Sequence, residues 1–477
     1  MTILVLKTIG LMVLLGVGGF GGIVWLVPRL RLNILLTVAL SLLLGIAVYT
    51  GLAQTLLFNE SFEYVDKLVW LLAALGLVSA LVAAYKYRQR LAQPLRPRVS
   101  HGAVLALSLV VFAPIAIFSI LYPLTAWDAK MIWMVKAKAI YVEPHLPNTL
   151  FDSALFDSAH KDYPLGLPTL VASHYRWYQG VSEQPVALTY VIFLWLIVLT
   201  VTGALLQFAG RTALGIAAAL VIIFASGDFL YFAGLGLADI PLSAMFTVSL
   251  LGLWGALLSG DSGPRRLWLS LGGFFALASA MFKNEGAPFI ILYALAAAVI
   301  FWFCRRSVKG SVPVFRVKWG RAAAWLLAYA TVLLPLLLWH QRKAQLGYEV
   351  DLFLENVNRS VPEYLDRTIE TVHWFIIELP SAQNWGWALL PAVLLAIAGA
   401  VVWIIRHRSG LMLVPLALLV GQLGVYVVIY IVSPHDLTWH VTTSIDRLLV
   451  QVVPALYLST ALLWLLLLSK KSVYSTD

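Results

Sequence analysis

Five short stretches of this chain set titratable side chains at the edges of long apolar runs. In Tyr122-Pro-Leu-Thr-Ala-Trp-Asp-Ala129, Asp128 stands just past such a run and opens the largest polar loop. An ionised carboxylate at a membrane–water boundary is costly unless it has work to do, which makes Asp128 the leading candidate for chemistry. His160-Lys-Asp-Tyr-Pro-Leu-Gly-Leu-Pro168 puts His160, Lys161 and Asp162 next to Tyr163, with Pro164 and Pro168 stopping an easy helix. This stretch reads as a site or as a structural turn. Between Gly227 and Pro241, two carboxylates and three glycines precede an apolar run. There Asp239 suits either close approach to a ligand or a helix start with proline in the first turn. In Lys283-Asn-Glu-Gly286, Lys283 and Glu285 read as a solvated ion pair, or Lys283 as an anion contact in a pocket. The fifth stretch, from His435 through His440 and Ser444 to Arg447, gathers two imidazoles, hydroxyls, Asp446 and a guanidinium. Arg447 could snorkel, but a fork-shaped guanidinium beside hydroxyls also suits a phosphate.

The elements that must position these residues are membrane spans. The chain has 477 residues, 61% hydrophobic and only 12% charged, with a mean hydropathy of +0.88. No soluble core hides that much apolar surface, so an all-α polytopic membrane protein is expected. Runs long enough to span lie near 8–27, 33–57, 67–85, 101–121, 186–208, 237–259, 287–304, 321–340, 385–405, 411–432 and 449–468. Two shorter runs, 213–226 and 267–282, are expected to span as well. That gives about thirteen helices of ~20 residues. The first run lacks a basic leader and a cleavage site and is followed by Arg29 and Arg31, so it reads as an uncleaved anchor with its N-terminus outside.

Alternation from that start puts Arg29/Arg31, Lys86 to Arg98, Arg211, Arg265/Arg266, Arg305 to Arg321, Arg406/Arg408 and Lys470/Lys471 on one side. The only acids among them are Asp261 and Asp477. By the positive-inside rule this side is cytoplasmic, and Asp128, Asp162, Asp239, Glu285 and Asp446 lie outside. The net charge of +10 therefore belongs to membrane orientation, not to nucleic-acid binding. Cys304, the only cysteine, permits no intrachain disulfide and reads as helix packing.

No internal repeat or soluble domain is evident. Two outer segments are long, 122–185 and 341–384, and the second, with Asp351, Glu355, Arg359, Glu363, Asp366, Arg367 and Trp374, reads as an acceptor cap or an amphipathic cover. Within 128–142, Met131, Ile132, Val135, Ala139 and Val142 share one face of a 3.6-residue helix, flanked by Lys136 and Lys138 with Lys130 opposite. Such a helix is expected to lie in the interface plane with its lysines at headgroups, either on the rim or walling a site entered from lipid. Metal-ligand spacings, a nucleophile elbow, a Walker loop and a dinucleotide fingerprint are all absent from the sequence. Nucleotide-driven chemistry is thus unsupported, and an outer site would not meet cytoplasmic ATP.

Together Trp127-Asp128-Ala129, Lys161-Asp-Tyr-Pro-Leu165, Ala238-Asp-Ile-Pro241, Lys283-Asn-Glu-Gly286 and Trp439-His440 with Ser444-Ile-Asp-Arg447 resemble the GT-C glycosyltransferases. These multi-span enzymes take sugars from polyprenyl-phosphate carriers. The likeness is to the group related to bacterial aminoarabinose and protein O-mannosyl transferases, and it covers residues 100–450. It implies accessory helices over 1–100 and a GT-C-like catalytic domain over 101–477. The implied reaction is inverting sugar transfer to an acceptor hydroxyl at the extracytoplasmic (periplasmic) face of the inner membrane. Asp128 would be the general base, and Arg447, Lys283, His440 and His160 would be candidate cations for the carrier phosphate. Asp162 and Asp239 would orient sugar hydroxyls or those cations.

The family often carries an acidic pair in the first loop. Here Asp128 is followed by Ala129, so a second carboxylate would come from Asp162 or Asp239. Implied partners are the lipid-linked donor, a lipid- or glycan-linked acceptor and membrane lipids, with no nucleic acid. No cofactor is required by the sequence, and a divalent cation on the phosphate stays open. The rival expectations are a lipid-linked glycan polymerase or ligase, and a transporter or flippase. A transporter would place its charges near the bilayer midplane, within repeated halves.

Overall fold

A computed structural model describes residues 1–95, 98–306, 319–348, 359–385 and 387–469. Asp351, Glu355, Lys470, Lys471, Asp477 and the basic stretch 307–318 lie outside the described residues. The described chain is helical throughout, without a strand. The principal helices are α1 (Thr2–Ile23), α2 (Ile34–Phe58), α3 (Val65–Leu95), α4 (Val99–Leu121), α5 (Val135–Val142), α6 (Gly166–Tyr178), α7 (Glu183–Phe208), α8 (Leu214–Ile223) and α9 (Gly227–Leu235). They continue as α10 (Asp239–Leu257), α11 (Ser262–Ser279), α12 (Gly286–Arg306), α13 (Trp319–Leu346), α14 (Val361–Glu378), α15 (Leu389–His407), α16 (Val414–Val432), α17 (Leu437–Thr442) and α18 (Ile445–Leu468).

Among the described residues eleven helices are long and apolar enough to cross a membrane, or twelve if the bent pair Gly210–Ile223 and Gly227–Leu235, at 51°, makes one span. This is the architecture of a multi-pass membrane protein. Helices can cross hydrocarbon because every backbone group is bonded within its own segment. The expected thirteenth crossing is α11. It has 18 residues but falls short as an apolar span; Arg265 and Arg266 are its fourth and fifth residues. A four-residue link joins it to α10, and an ion pair between Lys283 and Asp239 ties the segment after α11 to the start of α10. The two helices therefore run antiparallel over their length.

Burial sorts the spans into layers. α10 is buried on every side, and α2, α7 and α18 are mostly buried; α1, α3, α4, α12, α13, α15 and α16 keep most of their apolar surface outward. In lipid an outward apolar face costs nothing, so the order of the bundle comes from packing and from polar ties inside it. Trp254 of α10 donates its indole N–H to Ser459 Oγ of α18 at 3.0 Å. The N-terminal helices are fastened to the rest. Asn33 caps α2 by accepting from Leu36 N and donates to Gly203 O of α7 at 2.7 Å, while Gln207 of α7 donates to Leu30 O.

Candidate functional site

Asp128, Asp239, Lys283 and Arg447 lie far apart in sequence, yet each sits where one of the helices begins or ends at the same face of the bundle. Two tight backbone approaches bring their segments together. Gly236 ends α9 with φ +76°, and a Cβ there would stand 3.0 Å from Leu124. Its bare backbone lets Leu124 and Ala129 settle against it, which delivers Asp128 to the start of α10. Gly166 opens α6 and donates its N–H to Met281 O at 2.9 Å. A Cβ at Gly166 would stand 2.2 Å from that same carbonyl oxygen. This contact holds His160–Tyr163 against the turn carrying Lys283 and Glu285.

The result is one continuous charged network. Asp239 is fully buried and takes Lys283 Nζ at 2.9 Å on Oδ1 and Arg447 Nε at 3.4 Å on Oδ2. Gln451, one turn beyond Arg447, donates to Asp239 Oδ1 at 2.6 Å. Lys283 reaches Glu285 at 2.7 Å. Arg447 then extends to the rim, where Nη1 donates to Asp128 Oδ2 at 2.6 Å. Exposure grades along this path: Asp239 is 0% exposed, Arg447 19% and Asp128 25%. Asp239 is thus the buried end of the network and Asp128 its exposed end. The negative charge of Asp239 in the first turn of α10 also meets the positive end of the helix. It makes no capping bond, because the cap position is Ala238.

Charges so deeply placed are tolerable only when paired and hydrogen-bonded. Burial alone would drive the Lys283 ammonium down, but Asp239 and Glu285 outweigh it and hold the ammonium above its ordinary value. Beside the network Asp162 accepts from Asn284 Nδ2 at 2.9 Å. Tyr163 is kept a neutral phenol by burial, reinforced by Glu285 and Asp162. The His160 ring stacks on Tyr163 with centroids 4.9 Å apart.

Other expected site residues are held differently. Lys161 turns away to Asp157 at 2.7 Å and Ser153 O at 2.8 Å, so it stays outside the network. Ser444 Oγ is shared with Tyr430 OH at 2.9 Å and donates to His440 O at 2.5 Å, which makes it a support for the turn before Arg447. His440 packs edge-on against Tyr430 at 4.9 Å. Its burial, with His435 and Arg367 nearby, holds the imidazole down at about 4. That direction disfavours the cationic role expected of it. Among the described residues no group of three or more His, Cys, Asp or Glu side chains is set to hold a metal ion.

The helix after Asp128 also departs from expectation. Ala129–Met134 winds as a π-helix before α5 begins, and its i→i+5 turns rotate the residues of α5 about the helix axis. Met131 and Val142 of the expected apolar face are exposed, as a helix in the interface plane allows, whereas Ile132 of that face and Trp133, Lys136, Ala137 and Ile140 are buried. Lys136 therefore leaves the headgroup position predicted for it. Its Nζ donates to His160 O at 2.5 Å and lies over the Tyr163 ring at 5.6 Å. Lys138 pairs with Glu183 at 2.5 Å.

Burial pushes the Lys136 ammonium from 10.5 down to about 7, against the pull of Asp162. The unfolded chain keeps that proton to 10.5 and the folded chain releases it near 7. The unfolded state then binds more protons across this window, so stability rises as pH climbs through it and the full cost falls below pH 7. Replacing Lys136 by Met is expected to flatten this slope, read from thermal unfolding of the purified chain over a pH series.

No protein-family model, curated protein or solved structure significantly matches this chain.

Proposed function

We propose that this chain is an integral-membrane glycosyltransferase that moves a sugar from a polyprenyl-phosphate carrier to an acceptor hydroxyl on the extracytoplasmic side. One observation carries the reading. Arg447 has five N–H groups; its Nη1 is held by Asp128 and its Nε by Asp239, and among the described residues Nη2 has no acceptor. A guanidinium fixed on two edges, with a third directed donor left over beside a carboxylate at the rim, is suited to a phosphate oxygen next to a base.

In the reaction the acceptor oxygen attacks the anomeric carbon and its proton passes to Asp128. The bond from that carbon to the phosphate oxygen breaks, and the carrier phosphate leaves with the electron pair. Charge growing on that oxygen draws Arg447 toward it and loosens the guanidinium from Asp128, freeing the carboxylate as the proton arrives. Lys283 is too enclosed by Asp239 and Glu285 to face the phosphate and serves instead to keep Asp239, and through it Arg447, in place. Asp162 and Tyr163 would orient sugar hydroxyls.

Orientation supports the same reading. If the bent pair α8–α9 and α11 are each counted as a crossing beside the eleven apolar spans, thirteen passes keep the basic loops on one side and this network on the other. The charges sit in the first turns of α10 and α18 and in the turn before α12, at the ends of the helices, which favours an interfacial site over a midplane transport path.

Arg447→Ala is expected to raise KM for the donor lipid about 10–100-fold, the loss of one or two charge-assisted bonds, with a smaller effect on the acceptor. An unchanged donor KM removes the phosphate from Arg447. The function itself is tested by mass analysis of membrane lipids and envelope glycans from cells lacking the chain. The expected result is an accumulated prenyl-phosphate sugar together with a glycan short of one residue. Unaltered lipids and glycans would sink the reading.

A further inference from the structure

The outer helix α14 presents three different faces. Tyr364, Arg367, Thr368, Thr371, Trp374 and Phe375 are turned into the protein, with Thr371 fully buried. On a second side Glu363, Asp366, Glu370 and His373 are exposed. The third is a continuous stripe at 3.6-residue spacing, Val361, Leu365, Ile369, Val372 and Ile376, whose exposures run from 42% to 81%. A charged face and an apolar face side by side on one helix cannot both favour water.

We propose that α14 lies in the plane of the membrane, with this stripe seated in the acyl region of the outer leaflet and its acidic face in water. The occupant of the stripe is thus the lipid monolayer. Continuity with the spanning surface argues for it. α14 packs on the far end of α16, where Phe375 meets Tyr430 with ring centroids 6.1 Å apart. Lower on α16, Val420 and Val428 are themselves outward and apolar. The flank of a span therefore runs on into the stripe, as an amphipathic helix at an interface requires.

The helix is built to stay there. A capping box between Ser360 and Glu363 starts it. Two arginines fasten it to the C-terminal end of α16, whose last carbonyls lack partners in their own helix. Arg359 donates to Ile431 O at 2.9 Å and Ser433 O at 2.6 Å. Arg367 donates to Tyr430 O at 2.7 Å and to Ser433 O and His435 O at 3.3 Å. These bonds tie α14 to the segment that runs from Tyr430 to Ser444 beside the charged network. Because the water-facing side is acidic, attachment depends on the apolar stripe and needs no anionic lipid.

The test uses the full chain with Cys304→Ser, reconstituted in phosphatidylcholine vesicles. Single cysteines at Leu365, Ile369 and Ile376, and separately at Asp366 and Glu370, carry a nitroxide label. Stripe positions are expected to collide with oxygen severalfold more than with a water-soluble nickel chelate, and the two acidic positions the reverse. Adding phosphatidylserine is expected to leave the pattern unchanged. Equal nickel access on both faces would overturn the proposal, as would dipolar coupling between stripe labels on two chains, which would make the occupant a second copy. The spin labels report location whether or not the protein transfers sugar, so failure here is separate from failure of the proposed reaction.

Discussion

Asp128→Asn is expected to lower sugar transfer by about 10²–10⁴-fold, the usual share of a positioned general base, while leaving donor KM flat or reduced. The amide keeps the shape of the carboxylate and can still accept from Arg447 Nη1, which Asp128 engages at 2.6 Å. What it loses is the capacity to hold a proton. With that carboxylate neutral, Arg447 is opposed by fewer charges and, in the proposed reaction, would meet the carrier phosphate no less readily, so the loss would fall in kcat. The measurement is single-turnover transfer from donor lipid recovered from cells expressing the inactive variant. A raised donor KM with normal kcat would make Asp128 a binding residue and leave the base unassigned.

The second large effect is on stability. Asp239→Leu is expected to cost about 3 kcal/mol, at the lower end of the range for breaking a buried ion pair. Lys283 Nζ, Arg447 Nε and Gln451 Nε2 all lose their acceptor. The cost stays at the lower end because each cation retains a second acid, Glu285 for Lys283 and Asp128 for Arg447. Adding Lys283→Met to Asp239→Leu is expected to recover part of the loss, since an apolar pair replaces an ionic one of similar size. Thermal unfolding in detergent reads both. If Asp239→Leu melts where the parent does, the network does not support the fold.

Much of this network is legible in the sequence alone, because charge in so apolar a chain is conspicuous. Asp128, Asp239, Lys283, Glu285 and Arg447 all stand at the edges of apolar runs, and helix ends are where such residues can gather. Which of them touch is not legible: Arg447 and Asp128 are 319 residues apart, and nothing local encodes that contact. Gln451 escapes notice because it lies inside a run that reads as packing; its only signal is its place one turn after Arg447, on the same face. Lys136 is misplaced for a different reason. Assigning a face from spacing assumes 3.6 residues per turn, and the π-helix at Ala129–Met134 breaks that assumption. Lys161 shares a tripeptide with His160 and Asp162 but is drawn off by Asp157, since neighbours in irregular backbone need not share a direction.

The full enclosure of α10 bears on how the protein is made. The two arms of the α10–α11 hairpin leave the ribosome one after the other, so Asp239 enters the bilayer with Lys283 soon within reach, and the hairpin carries its own counter-ion. Arg447 and Gln451 emerge some two hundred residues later, being 208 and 212 positions beyond Asp239. Until α18 arrives, Asp239 is only half served and Asp128 has no guanidinium at all. Assembly of the charged centre thereby waits on that helix, and a chain cut short before Ile445 would display its defect at the membrane surface, where quality-control proteases can find it.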